Sequence, residues 1–226
     1  MAEALRIAIV GAESTGKSTL ATALALALAR DEGRRVARVD EWLREWCERH
    51  ARTPRADEQA AILHEQQRRI DSAAAAHDVV VCDTTPLMTA VYSRLLFADR
   101  SLEARALELH ARSHLTLLMA LDLPWVADGH QRDGEHVREP VDALLRELLL
   151  GAGVPFAVIG GQGALRLEHA LAALRPRLNA APAAGLFTRL TAGEQGERGE
   201  RGARGGWSCE CCIEGEAERA LRSLRG

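Results

Sequence analysis

The chain has 226 residues, of which 47% are apolar and only 4% aromatic, and its formal net charge is −3. That length accommodates one α/β domain of about 180 residues whose core is Leu, Ala and Val rather than aromatic rings. Charges of both signs are interspersed, without the clustered basic residues that phosphate-backbone binding needs, so no nucleic-acid partner is expected.

Residues 5–10 form a short, continuous apolar run, the pattern of a parallel strand buried on both faces. Its start by Leu5 leaves no room for a secretory leader. Residues 17–31 read as a helix closed by Gly33. The apolar run inside it, residues 20–29, is half of the ~20 residues a membrane span requires, so no membrane partner is expected. Residues 35–39 read as a second strand ending in Asp40 and Glu41. A helical stretch with Trp42 and Trp46 on one face follows, and Pro54 breaks it. Residues 56–76 form a long amphipathic helix with Ile62, Leu63 and Ile70 inward. Residues 78–83 are a third buried strand, with Asp83 at its C-terminal end. Thr84, Thr85 and Pro86 follow, then a helix through Leu96 and a second over residues 102–112, and residues 115–121 form a fourth strand. Residues 122–140 carry Pro, Gly, His and charged side chains, and are too long for a passive connection; they read as a lid. A helix over residues 141–150, a strand over 154–159, a glycine loop at 160–163 and a helix over 164–178 complete the pattern. The predicted fold is therefore α/β: a five-stranded parallel sheet between helical layers, a three-layer sandwich.

After residue 178 the character changes. Gly193, Gly196, Gly199, Gly202 and Gly205 recur every third residue, but without proline this short run predicts a charged flexible tail, not a triple helix. Domain boundaries of 1–178 and 179–226 follow. Cys209, Cys211 and Cys212 supply three thiols, one ligand short of a tetrahedral zinc site. The five cysteines form no secreted disulfide pattern, and a cytoplasmic protein is expected.

The chemistry is carried first by Gly11-Ala12-Glu13-Ser14-Thr15-Gly16-Lys17-Ser18-Thr19. Its first eight residues satisfy G-x-x-x-x-G-K-S, between a β-type apolar run and a helix, which is the context a P-loop needs. Backbone N–H groups of residues 11–16 would cradle ATP phosphates, Lys17 would reach between the β- and γ-phosphates, and Ser18 would ligate Mg²⁺. Thr19 is the expected contact to the α-phosphate. Lys17 is the chain's only lysine; the other 28 of the 29 basic residues are arginine. A compact ammonium fits between phosphates where a planar guanidinium does not.

Asp83 is placed to hold Mg²⁺ or to accept a proton, although capping the next helix would also account for it. Asp40 and Glu41 lie at the end of a parallel strand, where such sheets bind ligands, and either could accept the proton of a substrate alcohol. Arg44 is a candidate phosphate or substrate clamp. Trp42 and Trp46 serve either packing or stacking against a planar substrate ring. Arg132 and Arg138 are candidates to neutralise the transferring phosphate once the lid closes.

Four segments in order, the P-loop, Glu41-Trp42-Leu43-Arg44-Glu45-Trp46, Cys82-Asp83-Thr84 and Asp122-Leu123-Pro124-Trp125-Val126-Ala127-Asp128-Gly129, resemble the nicotinamide riboside kinase domain of bacterial NadR-type proteins. The resemblance covers residues 5–178. It implies a P-loop kinase fold, Mg-ATP, and phosphorylation of the ribose 5′-hydroxyl of nicotinamide riboside to nicotinamide mononucleotide, a step of NAD salvage. NadR proteins with several activities carry DNA-binding and adenylyltransferase parts upstream; only a few residues precede the first strand here, so neither activity is expected. Two other readings are an ATP-dependent switch or regulatory ATPase without a small-molecule acceptor, and a phosphate- or lipid-binding module. A GTPase is set aside because guanine selection uses N-K-x-D, and the only asparagine is Asn179.

Overall fold

The computed structural model describes residues 3–30, 34–126 and 135–178. The glycine-periodic segment, the Cys209–Cys211–Cys212 group and Arg132 lie outside the described residues. Five strands, β1 (Leu5–Val10), β2 (Val36–Val39), β3 (Val79–Asp83), β4 (Leu115–Met119) and β5 (Phe156–Ile159), form one sheet in the order β2-β3-β1-β4-β5. Every pairing is parallel. Seven α-helices are present among the described residues: α1 (Lys17–Ala29), α2 (Trp42–His50), α3 (Gln59–Ala76), α4 (Pro86–Phe97), α5 (Glu103–His110), α6 (Arg138–Gly151) and α7 (Ala164–Leu178).

The period of two along each strand sorts the core into two layers. Ile7 and Ile9 of β1, Val79 and Val81 of β3, and Leu117 and Met119 of β4 pack against Leu20, Leu24 and Leu28 of α1 and Ala170 and Leu174 of α7. The alternate residues Val10 and Leu118 face a second cluster containing Leu63, Leu87, Leu109, Leu145 and Leu149. Val80 and Cys82 pack with Val39 and Ile70 on that side of the sheet edge. Burying each such Leu, Ile or Val contributes about 1.5–3 kcal/mol; the aromatic side chains Tyr92 and Phe156 only border this core, partly buried. No helix among the described residues is long and apolar enough to cross a membrane.

Several boundaries differ from the sequence pattern, each for a local reason. Helix α6 begins at Arg138, three residues before the predicted start, and takes Pro140 into its first turn. Proline is tolerated there because the first-turn N–H groups have no helical partner. Residues 138–140 therefore belong to a helix and not to the lid. Strand β5 starts at Phe156 instead of residue 154 because the Val154 N–H is spent on the Leu149 carbonyl at the end of α6 (2.9 Å). The long third helix opens with a tight turn, Ala56–Glu58, fastened by Glu58, which accepts from the Arg55 N–H (2.8 Å) and from Arg52. Helix α4 takes in Pro86, which the sequence pattern left before the helix, with Thr85 as N-cap and the proline in the first turn.

Candidate functional site

The P-loop is shaped by backbone that few residues other than glycine adopt. Gly11 has φ +153°, and a Cβ there would lie 2.8 Å from Met119 Cβ on the neighbouring strand β4. Gly16 has φ +78° and Ser14 has φ +53°, so the loop alternates into the left-handed region. Successive N–H groups in such a chain converge on one point, making an anion-binding nest at the head of α1. The Ala12 carbonyl accepts from the Thr15 hydroxyl (2.7 Å) and from the Lys17 ammonium (2.8 Å). Lys17 is thus folded back over the loop, the orientation that phosphates would require.

A cavity of about 640 Å³ opens above this loop, lined by residues 14–19 and by Arg44, Leu123, Pro124, Val126 and Gln162. Of the residues singled out in the sequence beyond the P-loop, Arg44 is the one the cavity includes. Leu123, Pro124, Val126 and Gln162 were not singled out individually, because they come from loops after β4 and β5 whose proximity depends on sheet order. Ser14 grips this region directly: its hydroxyl donates to the Val126 carbonyl (2.9 Å) and accepts from the Val126 N–H (3.3 Å).

Asp83 ends β3 beside Ile9 of β1, two residues before Gly11. Its side chain is buried, and Oδ1 has no hydrogen-bond partner among the described residues. The next residue, Thr84, holds φ +73° while its N–H donates to the Ile9 carbonyl (3.1 Å). A β-branched residue in that conformation costs on the order of 1–3 kcal/mol, strain of the kind found at functional sites. Beneath Asp83, burial pushes the Cys82 thiol up to about 12, so it is inert at neutral pH.

The residues at the end of β2 are arranged differently. Asp40 is exposed and ion-paired with Arg38 (2.8 Å). Glu41 is more sheltered and lies 3.8 Å from Arg44. Trp42 carries the guanidinium groups of Arg69 and Arg49, at 4.1 and 5.1 Å from the ring centroid, and its backbone N–H donates to Gln66 Oε1 (2.7 Å). Trp46 stacks on His50 with ring centroids 4.0 Å apart and carries Arg52 at 4.8 Å. Both rings are engaged with their own chain. Arg138 is buried, and its guanidinium donates to the Leu123 carbonyl (2.8 Å), supporting the chain after β4 from beneath.

The residues present fit a magnesium ion. A buried carboxylate oxygen without a donor, together with a serine hydroxyl at the head of α1, is the hard-oxygen set that Mg²⁺ uses alongside substrate phosphates. Among the described residues no group of three or more His, Cys, Asp or Glu converges, as in an all-protein cage, and Mg²⁺ bound with phosphates needs none.

Sheet order, glycine loop and helix head together define a P-loop nucleotide-binding domain of the kinase type. A sequence profile described as an AAA domain matches residues 6–166, and the chain belongs to that family. No curated protein matches the chain in sequence. Among solved structures it is similar to NadR protein in complex with NR (TM-score 0.65, 20% identity), over 79% of this chain and 52% of that one. It is also similar to NadR protein in complex with NAD and AMP-PNP (TM-score 0.63, 20% identity, 80% and 51%). Thymidylate kinase from Ehrlichia chaffeensis matches at TM-score 0.56 and 14% identity, over 76% of this chain and 99% of that one. The likeness is one of fold, and the chain spans about half the length of the NadR chains it matches.

Proposed function

We propose that the chain is a Mg-ATP-dependent phosphotransferase acting on a small nucleoside alcohol, foremost the ribose 5′-hydroxyl of nicotinamide riboside. The observation that carries this reading is a complete, lysine-bearing P-loop beside a buried carboxylate on the adjacent strand, one oxygen of which has no donor among the described residues. The shared fold with a NadR protein solved with NR supports this acceptor.

In this reading the N–H groups of residues 11–16 hold the β- and γ-phosphates. Lys17 exchanges the Ala12 carbonyl for phosphate oxygens, and Thr19 contacts the α-phosphate. Ser18 and Asp83 would hold Mg²⁺, which supplies counter-charge to the phosphates when bound. The acceptor oxygen forms a bond to the γ-phosphorus as the bond to the β–γ bridging oxygen breaks. The acceptor's proton passes to a carboxylate at the sheet's C-terminal end; Glu41 is favoured over Asp40 because it is the more sheltered and the more loosely paired, 3.8 Å from Arg44 against 2.8 Å between Asp40 and Arg38. Arg44, which lines the cavity, clamps phosphate, and Trp42 and Trp46, on the same helix α2, would form the acceptor wall. Arg132 is the lid cation of this scheme, and Arg138 supports the lid from its root.

The test is to incubate the protein with Mg-ATP and a pool of nucleosides that includes nicotinamide riboside, then identify by mass spectrometry which one gains a phosphate. Nicotinamide mononucleotide is expected. ADP released at the same rate with and without acceptors would replace this reading with that of an ATP-driven switch.

A further inference from the structure

A nest of inward N–H groups forces alternate carbonyls to point away, and a buried carbonyl needs a donor. The Ala12 carbonyl has two, from within the loop itself. The Thr15 carbonyl lies just before α1 and takes its donor from 151 residues away: Arg166 of α7, at 2.7 Å. Arg166 is only 5% exposed, and its other two side-chain nitrogens are also engaged. Its Nε donates to the Gly161 carbonyl (2.7 Å), and its other terminal nitrogen pairs with Asp122. Asp122 in turn accepts the Gly161 N–H (2.6 Å). Gly160 sits so close that a Cβ there would lie 3.0 Å from the Asp122 carboxylate. One planar fork thus joins three loops, those after β1, β4 and β5, and all three line the cavity.

We propose that Arg166 and Asp122 are positioning residues of the phosphate site, turning the Thr15 carbonyl outward and tying the P-loop to the segment after β4. The inference rests on the nucleotide reading above and adds to it a cause for the loop's preorganisation. Asp122 neutralises the buried cation, offsetting the cost of holding an unpaired charge away from water. Partial burial pushes the Asp122 carboxyl up, but the Gly161 N–H and Arg166 more than offset this, leaving it below the usual carboxylate range. A lysine cannot replace Arg166, because a single ammonium does not span three acceptors set in one plane. The connection also runs through the cavity wall. Leu123, next to Asp122, packs against Gly16, and Val126 is held by Ser14. Moving the fork would therefore move both the anion nest and the wall beside it.

The experiment measures binding of Mg-ATP and of inorganic pyrophosphate to the full chain by calorimetry, at a temperature where circular dichroism shows each variant folded. Arg166→Ala and Arg166→Lys should weaken both ligands by about tenfold or more, and Asp122→Asn by several-fold, since charge-assisted hydrogen bonds are lost. Millimolar guanidinium should restore part of the affinity of Arg166→Ala but none to the wild type. If the wild type binds neither ligand, the nucleotide reading fails and this inference with it. If the wild type binds and folded Arg166 variants bind within twofold of it, Arg166 is only a structural brace and the inference alone is wrong. Should both Arg166 variants fail to fold, Asp122→Asn decides by the same criterion.

Discussion

The two sides of the candidate site are built by different means. On the phosphate side, residues 11–19 are held mostly by backbone: left-handed turns at Ser14 and Gly16, a glycine pressed against β4, and carbonyls with assigned donors. On the acceptor side, Asp40, Glu41, Trp42 and Trp46 are held by long side chains, in ion pairs and cation–ring contacts. A backbone nest is preorganised, and its left-handed turns accept few residue types: here glycine at 16 and serine at 14. Side-chain contacts of that kind are exchangeable, and exposed ones are worth roughly 0–1 kcal/mol each. In the proposed reading, the phosphate side sets what the domain binds, and the acceptor side can be retuned without refolding it.

That contrast can be broken or sharpened by experiment. The largest effect is expected from Lys17→Ala, which should lower turnover by about a hundredfold or more, since it removes the main phosphate-facing cation. Lys17→Arg should not rescue it, because the guanidinium has the wrong shape; full activity of that variant in a steady-state assay would overturn the stated role of the ammonium.

A comparable loss is expected for Asp83→Asn, about a hundredfold in kcat at fixed magnesium, relieved in part by raising the magnesium concentration. An unchanged magnesium dependence would return Asp83 to a purely structural part.

Beneath the site, His110 is buried between the Thr85 and Thr116 hydroxyls, at 2.8 and 2.9 Å, and burial lowers its pKa to about 4. The unfolded chain, with an ordinary histidine pKa, binds this proton first as pH falls. The contribution of His110 to stability is thus complete above about pH 6.5 and is lost towards pH 4, by up to roughly 3 kcal/mol. Denaturant melts across that window should show the loss, and His110→Gln should flatten it.

Gly11→Ala should cost about 2 kcal/mol, from overpacking against Met119 and from an unfavourable φ, and lower Tm by roughly 4–8 °C. Thermal melts check this.

The smallest effect belongs to the acceptor side. Trp42→Leu should raise the acceptor's KM several-fold and leave the ATP KM unchanged within twofold. If the ATP KM moved instead, the division between the two sides would be misplaced.

Much of this arrangement was legible because it is local. The apolar run of β1, the glycines and lysine of the P-loop, and Thr85-Pro86 at the head of α4 each need only their own few neighbours to form. Pro140 misled the boundary of α6 because a first-turn proline and a loop proline look the same in a sequence. Arg166 and Gln162 were invisible for a different reason. Their contact with the P-loop exists only once β4 and β5 have been ordered beside β1, which no short spacing encodes. Asp122 was quoted within a motif, yet its role emerges only with a partner 44 residues away. Tryptophan is equally at home in a core or a ligand wall, so Trp42 and Trp46 left both uses open. The structure adds the arginines that cover them.

The folded-back Lys17 also makes this protein unusually simple to interrogate by covalent labelling. It bears the only ε-amino group in the chain, seated 2.8 Å from the Ala12 carbonyl at the floor of the cavity. An amine-acylating reagent therefore has one side-chain target, and the extent of acylation at that position reads directly how much of the loop is covered. Protection by a nucleotide would turn the mass of the Lys17-bearing peptide into an occupancy meter, without an assay for any reaction product.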